Sequence, residues 1–272
     1  MAQTVIIGGG VVGLATAYEF ARAGEKVTVV DARKTGLGAS EVNAGWVVPS
    51  CAAPVPGPGL ILQSLKWMTR RDSPLYVKPS VHPEFLRFML TMFRRCNARD
   101  QKSGLRAQLR LFEGTMQALD GYRKDGLEFE MEERGLLLAF RDKEKFSHHA
   151  ADLDIEQSYG LEPAVLVGDE LRAQEPLLSR SVYGGIFFPK ERFVDPGAFV
   201  TALRHGVEKL GGTVVENAPV DRVAIHGDSV DGVFSGSSAF EGDAYVLAAG
   251  AWTGRLSRLF GAPLPIRGGK GY

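Results

Sequence analysis

The chain has 272 residues, enough for about two domains, and its 44% hydrophobic and 24% charged content is that of a folded globular chain. Its 32 basic and 32 acidic residues cancel, so no net field draws nucleic acid. Two cysteines, Cys51 and Cys96, are too few and too far apart for a disulfide framework or a CxxC metal site. No apolar run reaches the ~18 residues of a membrane span and no basic segment precedes the first one, so the expected compartment is the reducing cytoplasm.

The stretch from Thr4 to Asp31 sets the architecture. An apolar run, Val5-Ile6-Ile7, meets Gly8-Gly9-Gly10, and a helical pattern follows with Val11, Leu14, Ala15 and Tyr18 on one face. Ala23-Gly24 signals the helix end, and a second strand, Val27 to Val30, closes on Asp31. The unit reads as βαβ and carries a dinucleotide-binding glycine pattern. Gly8 permits the tight turn, Gly10 lets the backbone approach a pyrophosphate, and Gly13 lets the helix pack on the strand. The first helical amides, Val11 and Val12, then face the phosphates. Asp31 stands 18 residues past Gly13, close to the ~20 expected for the acid that binds an adenosine ribose. Its carboxylate disfavours the 2′-phosphate of NADP, while the motif by itself leaves NAD and FAD open.

Residues 32–59 are rich in Gly, Ala, Ser, Asn and Pro and read as loop. Their small side chains would let backbone amides lie against a flat cofactor, with Ser40 and Asn43 offering hydrogen bonds; a surface loop accounts for the composition equally well. Between residues 60 and 96, Phe85, Phe88, Met89, Met92 and Phe93 form one helix face. In the same stretch Lys66, Arg70, Arg71, Lys78, Arg87, Arg94 and Arg95 outnumber Asp72 and Glu84. A basic amphipathic segment suits either a core helix or peripheral contact with an anionic membrane.

Residues 104–124 predict one further helix, with Leu105, Leu109, Phe112, Met116 and Leu119 as its buried stripe. Glu128, Glu130 and Glu132 alternate with Phe129 and Met131, the pattern of a strand with one wet face rather than of a metal or acid–base site. His148 and His149 are adjacent on a helix and point apart, so no metal ligands are assigned. A strand over 182–189 belongs to a second, more antiparallel sheet. Asp195 and Pro196 are the N-cap and first residue of a helix that ends before Gly211-Gly212. Val214-Val215 begin a strand, and VDRVAI, HGDSVDG and VFSG read as a hairpin. Ala244 to Ala249 is a buried strand ending at Gly250, after which Trp252 and Thr253 open a short helix. A second strand ending in glycine suits the carboxyl edge of a parallel sheet, where cofactors bind. PLPIRGGKGY at the end begins like a strand.

The run GASEVNAGWVVPSCAAPVPGPG with SLKWMTRRDSPLYVKP resembles the same region of the D-amino-acid dehydrogenases. These are FAD-dependent enzymes of the D-amino-acid oxidase and glycine oxidase superfamily. The resemblance continues through ERGLLLAF, YGGIFFPKERFVDPGAF and AYVLAAGAWTGRL and so covers most of the chain. It implies FAD as cofactor, with Asp31, Ala32 and Arg33 at the adenosine end. Ser40, Asn43, Ala44 and Gly45 would run along the pyrophosphate and isoalloxazine, Val220 would meet the adenine through its backbone, and Ala249, Gly250 and Trp252 would pack against FAD. It also implies that PLPIRGGKGY lies well before the family's usual end, so that the rest of the substrate sheet and the groups that hold the substrate carboxylate would follow it.

The expected fold is α/β. A Rossmann-like FAD domain, residues 1–60 and 195–255, is interleaved with a mixed-sheet substrate domain, 61–194 and 256–272. The expected activity is oxidation of a D-amino acid to the 2-oxo acid and ammonia, with a quinone as candidate acceptor and no catalytic side chain assigned. The alternatives are a glycine, sarcosine or hydroxyproline oxidase, an NAD-dependent dehydrogenase, and an inactive FAD-binding fragment.

Overall fold

The structure is a computed structural model that describes residues 2–61, 64 and 80–269. The sequence readings on Lys66, Arg70, Arg71, Asp72, Lys78 and the segment SLKWMTRRDSPLYVKP beyond Ser64 lie outside the described residues. The chain divides into two compact units, the first Met1–Trp46, Ala118–Met131 and Val194–Tyr272, the second Val47–Gln117 and Glu132–Phe193. These bounds differ from the expected ones, with the first crossing at 46 instead of 60 and with 118–131 and the C-terminal segment joined to the first unit. Side-chain packing explains both additions. The Tyr122 ring meets Tyr18 edge-on at 5.3 Å, Phe129 lies 4.7 Å from Phe199, and Leu256 and Phe260 pack on the cluster of Val5, Ile7 and Val30 while the Ile266 carbonyl lies against Gly254.

The first unit is built on β1 (Gln3–Ile7), α1 (Val11–Arg22), β2 (Lys26–Val30), α2 (Pro196–Lys209) and β3 (Thr213–Val215). β4 (Arg222–His226), β5 (Ser229–Ser235), β6 (Ser238–Phe240) and β7 (Ala244–Leu247) follow. Four strands form a parallel sheet in the order β7-β1-β2-β3. Strand direction requires each connection to cross over, and the order reverses at β1, so the crevice for a ligand opens beyond the carboxyl end of β1.

Both faces of this sheet are covered, which is why its strands read as continuous apolar runs. On one face Ile6 approaches Gly13 of α1, and α2 packs beside α1, with Gly206 admitting the Tyr18 ring. On the other, Val5, Ile7 and Val30 join Ala218 and Val233, with Val223, Val230 and Phe240 of the antiparallel sheet β4-β5-β6 around them. Alternate residues of β1 thus serve opposite layers, as the period of two demands. Asp195 caps α2, its Oδ1 accepting from the Ala198 amide at 2.6 Å with Pro196 as the first helical residue, as the sequence predicts.

In the second unit, Leu136–Phe140, Gly184–Phe188 and Ala164–Val167 form an antiparallel sheet with the 184–188 strand central. Phe146, Leu153, Ile186 and Phe188 make its core. A second cluster joins Leu105 and Leu109 to Ala52 and Ile155.

Several local expectations are corrected. The single helix over 104–124 is two helices, Ala98–Phe112 and Thr115–Lys124, because Gly114 sits at φ 80° in the left-handed region. Glu128 and Glu130 are exposed but not in a strand; only Met131–Glu132 pairs. In the hairpin the turn shrinks to Gly227-Asp228, and the polar run from Ser229 is strand, with a register shift at Ala224/Ile225. Residues 262–269 form no strand, since their backbone turns onto the segment after β7: the Ile266 carbonyl lies against Gly254, and the Leu264 amide is taken by Ser257. Of the predicted apolar face of helix Pro83–Arg94, Phe85, Phe88, Met89 and Met92 are half-buried, while Phe93 is exposed.

Leu14 is fully buried between α1 and the sheet. Leu14→Ala is expected to cost about 2–5 kcal/mol of stability, read as a lowered urea midpoint, through lost burial and the cavity left behind.

Candidate functional site

Five segments converge at the carboxyl ends of the parallel strands. The Gly8–Gly10 turn leaves β1 and enters α1. Gly8 is at φ 119°, and a Cβ there would strike the Ala248 carbonyl, so no other residue fits between β1 and the end of β7. A Cβ on Gly13 would strike the Gly8 carbonyl, which is the close helix–strand contact the glycine spacing predicts.

Asp31 binds the turn from the end of β2. Its Oδ2 accepts from the Gly9 amide at 2.6 Å and its Oδ1 from the Arg33 amide at 2.8 Å. Each oxygen has capacity for a further donor, so the carboxylate can also accept a hydroxyl from a ligand. The Asp31 amide donates to the Val215 carbonyl, the Ala218 amide to the Asp31 carbonyl, and the Asn217 amide to the Arg33 carbonyl. The chain leading to Val220 is thereby zipped along residues 31–33; Val220 itself is half-buried and packs with the Val5–Val233 cluster.

The start of α1 is built for an anion. Gly10, the N-cap, has no capping side chain, and the first turn holds no acidic residue. First-turn amides have no intrahelical acceptor, and the helix dipole makes this end positive. Ser40 Oγ accepts from the Val11 amide at 3.0 Å. Gly10 faces that hydroxyl so closely that a Cβ would stand 2.9 Å from it, and Val12 is 66% exposed beside them. A side-chain hydroxyl thus takes up one of the amides at the start of the helix.

On the other side of the turn, the Trp252 amide donates to the Ala249 carbonyl, and Gly250 adopts φ 51°. The Arg33 guanidinium lies 4.7 Å over the Trp252 ring, and Gly38 sits against both, linking the β2 end to the β7 end above the glycine turn. Ala32, Arg33, Ala44, Gly250 and Trp252 are exposed, and Gly45 is buried. Asn43 spends its amide within its own loop: Nδ2 donates to the Ala39 and Ser40 carbonyls, and Oδ1 accepts from the Gly45 amide at 2.7 Å. These bonds shape the loop.

Four further residues were not singled out from the sequence. The Gly36 amide donates to the Gly9 carbonyl at 2.9 Å, and Thr35 packs its methyl on Gly9. Thr35 in turn meets Glu216, which Arg204 also binds. The TGLG run signals a tight loop, but Arg204 and Glu216 carry no local signal because their partner is some 170–180 positions away.

A family model described as DAO, FAD dependent oxidoreductase, matches residues 3–272. The chain is 31% identical over 275 residues to a D-amino acid dehydrogenase of Bradyrhizobium diazoefficiens, covering 99% of this chain and 65% of that enzyme. Among solved structures it resembles a glycine oxidase of Bacillus cereus (TM-score 0.61, 22% identity, 96% of this chain and 58% of that one). It also resembles an L-proline dehydrogenase of P. horikoshii (TM-score 0.65, 20% identity, 96% and 56%). The two solved structures speak for the fold alone.

Asn43→Ala removes three hydrogen bonds from the loop, each worth about 0.5–1.5 kcal/mol. Faster amide exchange at Gly45, with β1 and β2 unaffected, is the expected result.

Proposed function

The chain belongs to the family of FAD-dependent oxidoreductases, and on that premise we propose that it holds FAD beyond the carboxyl ends of β2, β1 and β7, for the oxidation of D-amino acids to 2-oxo acids and ammonia. One observation carries the substrate class: the 31% identity to a D-amino acid dehydrogenase extends over 99% of the chain, hence over every segment of the site.

The residues fit the cofactor. Asp31 takes a ribose hydroxyl on the capacity left by its two amide bonds, and Ala32, Arg33 and the Val220 backbone flank the adenosine. The pyrophosphate would lie over Gly10, Val11 and Val12, where first-turn amides without an intrahelical acceptor and the helix dipole would neutralise it and the missing Cβ of Gly10 leaves it room. Ser40, Asn43, Ala44 and Gly45 would run along the pyrophosphate and isoalloxazine, and Ala249, Gly250 and Trp252 would pack against FAD. When bound, FAD supplies a two-electron acceptor for the substrate Cα, leaving an imino acid that water hydrolyses to the products. No side chain of the described residues is assigned as a base; a substrate amine that arrives neutral needs none.

A dehydrogenase needs an acceptor other than dioxygen, and we propose a quinone. The helix Pro83–Arg94 supports peripheral contact with the membrane that holds it: Leu86, Leu90 and Phe93 are exposed on one face, with Arg87, Arg94 and Arg95 at hand for anionic lipid. Among the described residues no helix is long and apolar enough to cross a membrane.

The first test is the absorbance spectrum of the purified chain with FAD. Bands near ~450 nm that stay with the protein through gel filtration are expected. Asp31→Ala is expected to weaken FAD binding about 10- to 100-fold, the worth of a hydrogen bond to a charged group, and Gly10→Val to leave the protein colourless. Unchanged occupancy in either variant contradicts the assignment. With D-amino acids, reduction of a quinone analogue and release of 2-oxo acid support the dehydrogenase; peroxide release points to the oxidases, and bound FAD with no turnover points to the inactive FAD-binding fragment.

A further inference from the structure

The cofactor-facing loop is held in place by a carboxylate far from it in sequence. Glu216 follows β3, and its Oε1 accepts three bonds: from the Thr35 amide at 2.8 Å, from Thr35 Oγ1 at 2.9 Å and from Arg204 Nη1 at 2.9 Å. Arg204, on α2, is itself steadied by Glu208 at 3.1 Å. The loop has little else beneath it. Gly36 touches Val200, but a cavity of about 230 Å³, lined by Lys34, Leu37, Glu41, Thr201 and Arg204, separates the rest from α2.

From Thr35 the connection runs to the site in two short steps. The next residue, Gly36, donates to the Gly9 carbonyl and accepts from the Glu41 amide, and Ser40, next to Glu41, puts its hydroxyl on the Val11 amide at the start of α1. We infer that Glu216 is a positioning residue: through Thr35 it fixes the 34–41 loop so that Ser40 stands at the phosphate-facing start of α1, and so sets the affinity for FAD. This rests on the proposed cofactor site. The same donors hold the Glu216 carboxyl below its ordinary titration range, the Thr35 amide first, then the Thr35 hydroxyl and Arg204. The group is therefore charged at neutral pH, when its three donors need an anion.

The test uses Glu216→Ala, Glu216→Gln and Thr35→Ala in the 272-residue chain, with two readouts. Amide exchange without FAD should quicken at residues 34–41 in Glu216→Ala and stay unchanged in β1 and β2. Flavin-fluorescence titration should show a Kd for FAD raised about tenfold, as expected for loss of bonds to a charged acceptor. Glu216→Gln keeps an acceptor for Thr35 and should recover most of both effects. Thr35→Ala should add little on top of Glu216→Ala, because both break the same link. Unchanged exchange at 34–41, or exchange that quickens across the whole parallel sheet, overturns the positioning role. Quickened exchange with an unchanged Kd overturns its tie to the cofactor. A wild-type chain that binds no FAD refutes the cofactor site itself, and is told apart because every variant then fails alike.

Discussion

The bond from the Gly9 amide to the Asp31 carboxylate, 2.6 Å long, ties the end of β2 to the turn that leaves β1. The surrounding order depends on it. With the turn pinned, Gly8 lies against Ala248, the Gly13 face of α1 closes on the Gly8 carbonyl, and α1 points its first amides past the sheet edge. The second oxygen of Asp31 holds the Arg33 amide and so starts the loop that carries Ser40. A charged acceptor shared between two amides is stronger than a neutral one, which suits a junction from which three segments diverge.

The parallel sheet turns this junction into a site. Because β1 and β2 run the same way, their carboxyl ends lie together, and because both faces of the sheet are covered by helices or by β4-β5-β6, the carboxyl edge is what remains for the proposed ligand. The reversal of strand order at β1 keeps that edge open. The backbone zip between 215–218 and 31–33 then brings a distant stretch of chain to the same place.

Two glutamates show how the fold spends carboxylates. Glu216 collects three donors around one oxygen, and these hold its carboxyl below the usual range. Glu191, in the second unit, is 1% exposed; its Oε1 accepts from the Ser50 amide at 2.7 Å and its Oε2 is buried without a partner. Desolvation therefore pushes the Glu191 carboxyl up, against the pull of Ser50. The same side chain is made a better anion where donors converge and a poorer one where burial wins.

The βαβ unit, the turn at Gly8 and the close packing at Gly13, the acid at the end of β2, the cap at Asp195 and the strand at Ala244 were legible in the sequence, since each depends on residues within a few positions of one another. Helix periodicity, a required backbone conformation and a capping oxygen are local properties. The break at Gly114, by contrast, lay hidden in an unbroken apolar stripe, because periodicity cannot tell a glycine that continues a helix from one that ends it. The C-terminal segment has the apolar residues of a strand, but a strand needs a partner, and its backbone went to Ser257 and Gly254 instead. Asn43 offered polar atoms that composition could not assign to ligand or loop. By itself the sequence determined which residues can make a dinucleotide turn. Only the tertiary structure decided that Thr35, Arg204 and Glu216 meet behind it, because that contact joins groups some 170–180 positions apart and leaves no periodic or nearest-neighbour trace.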